Sequence, residues 1–266
     1  MTERNTNLLS NATKAFTAAS LKDIKKVKLL NRRDKKYLAH SAQIPTILEK
    51  LKENYLIIED NDQRLFDYHS LYFDTKDFML YHQHHNKKKN RFKIRQREYV
   101  DANLSYFELK YKNNKSKTFK TRKKIPEIHE NFNELEKDLI ENISPINASS
   151  YEPKINIDYK RLTLVNKNHK DRITIDFQLK AYNNKNEKLF KNLSIIEYKY
   201  DSSTMNRDFL DLMKENRIYE SSMSKYCVGI ANIYKHLVKQ NNFKSLLYKI
   251  KKVSSLPLAD SLAIAR

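Results

Sequence analysis

One glycine, Gly229, stands in 266 residues. A P-loop or a dinucleotide-binding turn needs several glycines so that the backbone can approach the phosphates. This chain builds neither, so any phosphate it binds must be held by side chains. One cysteine, Cys227, excludes an internal disulfide and a multi-cysteine zinc site, and suits a reducing, cytoplasmic compartment. No apolar run approaches the roughly 18 residues of a membrane span. The first residues lack the continuous apolar stretch of a secretory leader. Peripheral recruitment to a membrane and the oligomeric state stay open.

Carboxylates are also short. Lys and Arg number 52 against 32 Asp and Glu, a net charge of +20. Such a surplus points to an anionic partner: nucleic acid, an acidic membrane surface or a phosphate-rich substrate. Hydrophobic residues make up 39%, enough for a core.

Residues 1–28 are polar with a weak helical pattern at Leu21, Ile24 and Val27, and are expected to form a tail or an appended helix. Residues 241–266 form a second appendage, basic and then small and apolar around Pro257, Leu258 and Ala259. Between them, residues 29–240 are dominated by period-two alternation. Strands are expected at 30–38, 66–74, 91–99, 105–111, 118–125, 154–162, 171–179 and 193–200. Helices are expected at 43–54, 133–142, 204–217 and 223–238, the second capped by Asn131 or Asn133. About eight strands suffice to close a barrel. The expected fold is α+β: a closed antiparallel β tunnel with helices packed outside.

The alternation carries the functional argument. One strand sets Arg91, Lys93, Arg95 and Arg97 against Phe92 and Ile94. The next sets Tyr106, Glu108, Lys110 and Lys112 against Phe107, Leu109 and Tyr111. Lys120, Arg122 and Lys124 follow, then Tyr159 and Arg161, then Arg172, Thr174 and Asp176, then Glu197 and Lys199. A single charged face is ordinarily a solvated one. Repetition over strand after strand weakens that reading: helices can cover the apolar faces from outside, and if the sheet closes, the charged faces line its inside. Burying that many cations is prohibitive unless a polyanion occupies the space.

In order along the chain, these residues resemble the VTC-type polyphosphate polymerase domain of the triphosphate tunnel metalloenzyme superfamily. The likeness runs from about Arg32 to Tyr226. Its pieces are the run from Arg32 to Tyr37, the run from Tyr68 to Thr75, a basic hairpin from His84 to Tyr99, the run from Phe107 to Lys110, the run from Tyr159 to Arg161, the run from Arg172 to Asp176, the run from Ile196 to Lys199, and Ser224-Lys225-Tyr226. The resemblance implies a divalent metal, Mn²⁺ or Mg²⁺, and transfer of the γ-phosphate of ATP to a growing inorganic polyphosphate. By motif, Lys36, Arg95, Arg97, Lys110, Arg161 and Lys225 carry over as phosphate ligands in catalysis. Tyr159 and Ser224 carry over as accessory substrate contacts, with Lys93, Lys120, Arg122, Arg172 and Lys199 as further substrate-binding groups on the same faces. Glu197 carries over as the metal ligand. Asp34 departs from the usual Glu, and Lys87 stands where the hairpin turn commonly has glycine, so Asn86 is expected to take the left-handed conformation.

His82, His84 and His85 are read as a polar hairpin loop beside Lys87, Lys88 and Lys89, not a metal site. Glu108 and Asp176 either bind metal or neutralise neighbouring cations. Cys227 is read as a small core residue. The 17 tyrosines and 12 phenylalanines are read mostly as wall and core and not as a base-stacking platform, with Tyr159 a candidate for touching adenine. The alternatives to a polymerase are a tunnel triphosphatase and a non-catalytic polyphosphate-binding module. A nucleic-acid binder ranks last, because its cations would have to face outward, so no specific nucleic acid is expected.

Overall fold

The computed structural model describes residues 3–27, 32–115, 117–144, 147–203 and 205–256. The strands are β1 (Ala18–Ala19), β2 (Arg32–His40), β3 (Tyr55–Ile58), β4 (Phe66–Thr75), β5 (Arg91–Tyr99), β6 (Leu104–Lys112), β7 (Thr118–Ile125), β8 (Tyr151–Asn166), β9 (Asp171–Tyr182), β10 (Glu187–Leu189) and β11 (Leu193–Asp201). The helices are α1 (Glu3–Lys14), α2 (Leu21–Lys26), α3 (Ile44–Leu51), α4 (Met79–His85), α5 (Glu134–Glu141), α6 (Arg207–Glu215), α7 (Lys225–Ile233) and α8 (Lys244–Ser254). Leu30, Asn31, Thr204 and residues 257–266 lie outside the described residues, so the expectations that fall on them have no counterpart here.

All the strands join one sheet, whose main path is β2-β11-β9-β8-β4-β5-β6-β7, antiparallel throughout. β3 adds to β8, β1 runs parallel to β3, and β10 adds to β9. The eight-strand path matches the expected number, but it does not close: among the described residues β2 and β7 share no ladder. β7 is an edge strand whose residues are mostly exposed and strongly basic, a pattern that blunts pairing at an edge.

The sheet nevertheless curls. The first residues of α7 link strands that a flat sheet would hold apart: Ser224 takes a hydrogen bond from Lys93 of β5 at 3.0 Å, while its neighbour Lys225 pairs with Asp176 of β9. Three inter-strand steps of about 4.8 Å separate those strands in the plane of a flat sheet. Lys36 of β2 also lies near enough to Lys93 to oppose its charge.

The helices divide between the two faces. α3 and α6 pack on the outer face of β8, β9 and β11, burying Ile47, Leu48, Phe209 and Met213 against Leu162, Leu164, Ile175 and Tyr198. Leu9 and Phe16 join that cluster. α5, capped by Asn133 in a reciprocal box with Glu136, places Ile140 in the outer core of β4 to β7 with Phe73, Ile94, Phe107 and Leu109. The expectation that every helix packs outside is corrected by α7. It lies on the inner face, against Ile155, Ile157 and Ala181, with Ile250 of α8 in the same cluster.

The reason is a change of chemistry along β8 and a bulge in β9. On β8, Ile155 and Ile157 share a face with Tyr159 and Arg161. On β9, the register shifts opposite Asp158 and Lys160, and Gln178 takes φ 52°. Residues 172, 174 and 176 face inward before the bulge, and Leu179 and Ala181 do so after it. The inner face is therefore apolar under α7 and cationic beyond it. Gly229 serves this contact: a Cβ there would meet Ile155 Cδ1 at 2.8 Å and Ile157 Cδ1 at 2.9 Å. The chain's one glycine permits a close helix-to-sheet approach, not a turn.

Two local expectations also change. His82, His84 and His85 sit on α4, where the sequence suggested a strand end and loop, and His85 is buried, accepting from the Asn242 N–H. The left-handed residue of the turn before β5 is Lys87 at φ 54°, while Asn86 stays at φ −83°.

Candidate active site

Strand register puts the cations on one face. Lys36 of β2 opposes Glu197 of β11, and Lys199 opposes Arg172 of β9. Arg161 of β8 opposes Asp176 of β9. Tyr68 of β4 opposes Tyr159 of β8 on one side, and Ser70 and Tyr72 oppose Arg97 and Arg95 of β5 on the other. Lys93, Lys110 and Lys120 stand in line across β5, β6 and β7, and Arg122 opposes Glu108. Because side chains alternate, one register decides the whole face. With α7 bringing Lys225 and Ser224, every residue named as a phosphate, substrate or metal contact lies on this inner surface, Lys120 and Arg122 at its exposed rim.

Three carboxylates hold the cations in place. Glu108, 1% exposed, accepts from Arg95 at 2.6 and 2.8 Å and from Lys120 at 2.5 Å, with Arg122 at 3.7 Å. Asp176 takes a two-pronged grip from Arg161 at 2.6 and 2.8 Å, and a further bond from Lys225. Glu197 accepts from Lys36 at 2.7 Å and pairs with Lys199 through its other oxygen. Glu108 and Asp176 are thus engaged in neutralising cations, the second of the two roles open to them in the sequence.

Charge balance is still lopsided, and it shifts the ionisation of the buried groups. Burial pulls Lys110 down to about 7, and Arg95 and Lys93 add to the effect. Burial likewise brings Lys199 to about 7, despite Glu197 beside it. Lys93 is lowered for the same reason. Burial opposes ionisation of Asp176, but Arg161 and Lys225 outweigh it and hold the carboxyl down to about 2. In Glu108 and Glu197, too, neighbouring cations overcome burial and keep the carboxyl well below its usual range. Two buried hydroxyls on this face, Tyr159 Oη and Thr174 Oγ1, have no partner among the described residues. A buried hydroxyl left so costs about 1–3 kcal/mol, which a ligand oxygen would offset.

The start of α7 is fixed by a network that the sequence reading passed over. Asp74 is fully buried and accepts from the backbone N–H groups of Thr75, Leu80 and Tyr81 at 2.7–2.9 Å, and from the Tyr226 hydroxyl. Tyr226 stacks on Tyr72 at 5.2 Å, and Arg95 donates to the Tyr72 hydroxyl at 2.7 Å. Burial resists ionisation of Tyr72, but Arg95, Arg97 and Lys93 outweigh it and bring it to about 8. Ser224 caps α7 by accepting from the Cys227 N–H at 3.3 Å. The available signal was the spacing of Ser70, Tyr72 and Asp74, which puts Ser70 and Tyr72 on the face that meets Arg97 and Arg95.

The family model for the VTC domain matches residues 31–234, which span all of these groups. The chain belongs to the VTC domain family. A search of curated proteins gives no match. Solved structures similar to it include HpAC1 from Hippeastrum, described as an adenylyl cyclase candidate with a dominant triphosphatase activity. It is 12% identical over 76% of this chain and 95% of that one, with a TM-score of 0.47. PH1012 from Pyrococcus horikoshii OT3 is 10% identical over 69% and 88%, with a TM-score of 0.39. PH1819 from the same organism is 13% identical over 88% and 99%, with a TM-score of 0.36. These likenesses are partial, and membership of the VTC domain family rests on the sequence match. Among the described residues no helix is long and apolar enough to cross a membrane.

Proposed function

We propose that this VTC domain is a polyphosphate polymerase, transferring the γ-phosphoryl group of ATP to the end of an inorganic polyphosphate held in the curled sheet. One observation carries the reading: cations from seven strands of the main path and α7 converge on one inner face, and the carboxylates there are already committed to fixing them. In the transfer, an oxygen of the chain end attacks the γ-phosphorus, the bond to the β-phosphate oxygen breaks, and ADP leaves. Acceptor and leaving group are both phosphate oxygens, so little proton transfer is required of the protein. Its work is alignment and charge stabilisation. Arg95, Arg97 and Arg161 offer planar forks to phosphate oxygens, and Lys36, Lys93, Lys110 and Lys225 offer point charges.

The donor set suits a divalent ion carried mainly by phosphate. Among the described residues no three His, Cys, Asp or Glu side chains converge as a metal cage. Mg²⁺ and Mn²⁺ are commonly held by one or two carboxylates plus substrate phosphates and water. Glu197 would hold the ion, with Asp34 across from Lys199 on the next strand as the second carboxylate. When bound, the ion supplies positive charge to the phosphate oxygens. Lys36 and Lys199, which pair with Glu197, would then be free to meet phosphate.

The test is incubation of the purified chain with ATP and Mn²⁺, followed by polyphosphate staining of a gel and assay of ADP and orthophosphate. Long chains with ADP support the polymerase. Orthophosphate with no chains would make it a triphosphatase, and binding without turnover a polyphosphate-holding module.

A further inference from the structure

At the end of the inner face where β4 begins and β5 ends, rings crowd in among the cations. Tyr68 stacks on Tyr159 with centroids 5.0 Å apart and planes 15° apart. Tyr99 lies 5.0 Å from Tyr68, and Tyr106 lies 5.9 Å from Tyr99 at 85°. The Arg122 guanidinium sits 3.5 Å over the Tyr106 ring and 5.1 Å from that of Tyr99. The inner rings belong to the phosphate cations: Arg97 and Arg161 lie over both Tyr68 and Tyr159. Arg122 lies over the outer rings and Lys124 of β7 stands opposite Tyr106; Tyr99 and Tyr106 are partly exposed and Arg122 is exposed. At the other end of the same face the register instead lines up Lys93, Lys110 and Lys120, and the nearby rings of Phe92, Tyr111 and Phe119 stack together on the opposite face. Aromatic lining therefore marks one mouth only.

Resting on the function proposed above, we propose that Tyr99, Tyr106 and Arg122 form the subsite for the nucleobase of the donor nucleotide. Inorganic polyphosphate has no π-face, so rings serve its recognition only through the cations they seat, and it gains nothing by stacking on them. A nucleobase gains from stacking on tyrosine and on a guanidinium already seated on a ring. The order along the face also fits a nucleotide. The cations around Tyr68 and Tyr159 take the phosphates, and the two ring-to-ring steps from Tyr68 to Tyr106 lead outward to the base.

The test is calorimetric titration of the full chain with ATP and with inorganic tripolyphosphate, each with Mg²⁺, in wild type, Tyr106→Leu and Tyr106→Phe. Leucine keeps apolar bulk and removes the π-face; phenylalanine keeps the ring. Tyr106→Leu is expected to bind ATP about ten-fold more weakly and tripolyphosphate as wild type does, with Tyr106→Phe unchanged for both. Retained tripolyphosphate binding also reports an intact fold, and Tyr99→Leu repeats the contrast on the second ring. If both variants weaken the two ligands equally, or neither ligand at all, the nucleobase subsite is overturned and the phosphate site stands. A wild-type chain that binds neither ligand overturns the proposed function and this subsite with it.

Discussion

Replacing Glu108 by glutamine keeps the side chain's shape and removes its charge. Glu108 is 1% exposed, and Arg95, Lys120 and Arg122 all point at it. Breaking a buried ion pair by removing one partner costs about 3–5 kcal/mol, because the other charge stays buried and unmatched. The glutamine oxygen still accepts one bond, and Arg95 retains Tyr72, so the low end, about 3 kcal/mol, applies. In a domain of this size class each kcal/mol moves Tm by about 2–4 °C. Glu108→Gln should therefore lower Tm by about 6–12 °C in low salt at neutral pH.

The second half of that prediction links stability to the polyanion. A bound polyphosphate brings oxygens to the same cations, so its binding should be tighter where the carboxylate is missing. By mass action, saturating polyphosphate then raises the Tm of the variant more than that of wild type, and the gap narrows. Differential scanning fluorimetry with and without polyphosphate measures both quantities. Glu134→Gln, at an exposed pair with Lys137, is the control and should leave Tm unchanged. A gap that stays constant as polyphosphate is added would refute the argument that Glu108 stands in for substrate oxygens.

Glu197→Gln should abolish metal-dependent turnover while polyphosphate still binds, read by ADP release and by the melting shift; undiminished turnover would pass the metal role to another carboxylate of the face. Lys110 and Lys199, brought down to about 7, lose charge as pH rises through that value, so polyphosphate affinity should fall between about pH 6 and pH 8, measured by titration calorimetry. For the unliganded protein the sign reverses: from about 7 to the unfolded lysine value near 10.4 the unfolded chain binds more protons, so the contribution of these groups to stability grows with pH and is lost as pH falls through 7. At equal phosphate concentration polyphosphate should raise Tm more than duplex DNA, with salt weakening both; equal shifts would mean that the decisive cations face outward.

How much of this was legible in the sequence depended on which forces fix each feature. β5 and β7 begin and end where alternation places them, because Lys and Arg against Phe and Ile is a period-two signal that packing then enforces. β3 is only Tyr-Leu-Ile-Ile, a short apolar run with no alternation to mark it as a strand. α4 is three histidines in seven residues, and its start depends on Asp74, a carboxylate already assigned to a strand. The non-closure of the sheet was invisible too, since it depends on where β2 and β7 end up in space and not on either strand's pattern.

The deeper omission was the inner helix. The bulge in β9 rests on Gln178 at positive φ, a residue type that gives no warning of a left-handed turn. Without the bulge, strict alternation would turn Leu179 and Ala181 outward, and α7 would have no apolar floor on the inner face. With it, Ile155, Ile157 and Ala181 form that floor, Gly229 lets the helix settle on it, and the first turn of α7 delivers Ser224 to Lys93 and Lys225 to Asp176. The cations on the strands are set by alternation and could be read in advance. The cation that reaches them from outside the sheet is set by one irregular residue in β9, so Lys225 could be matched to a motif in the sequence but its position could not be derived from it.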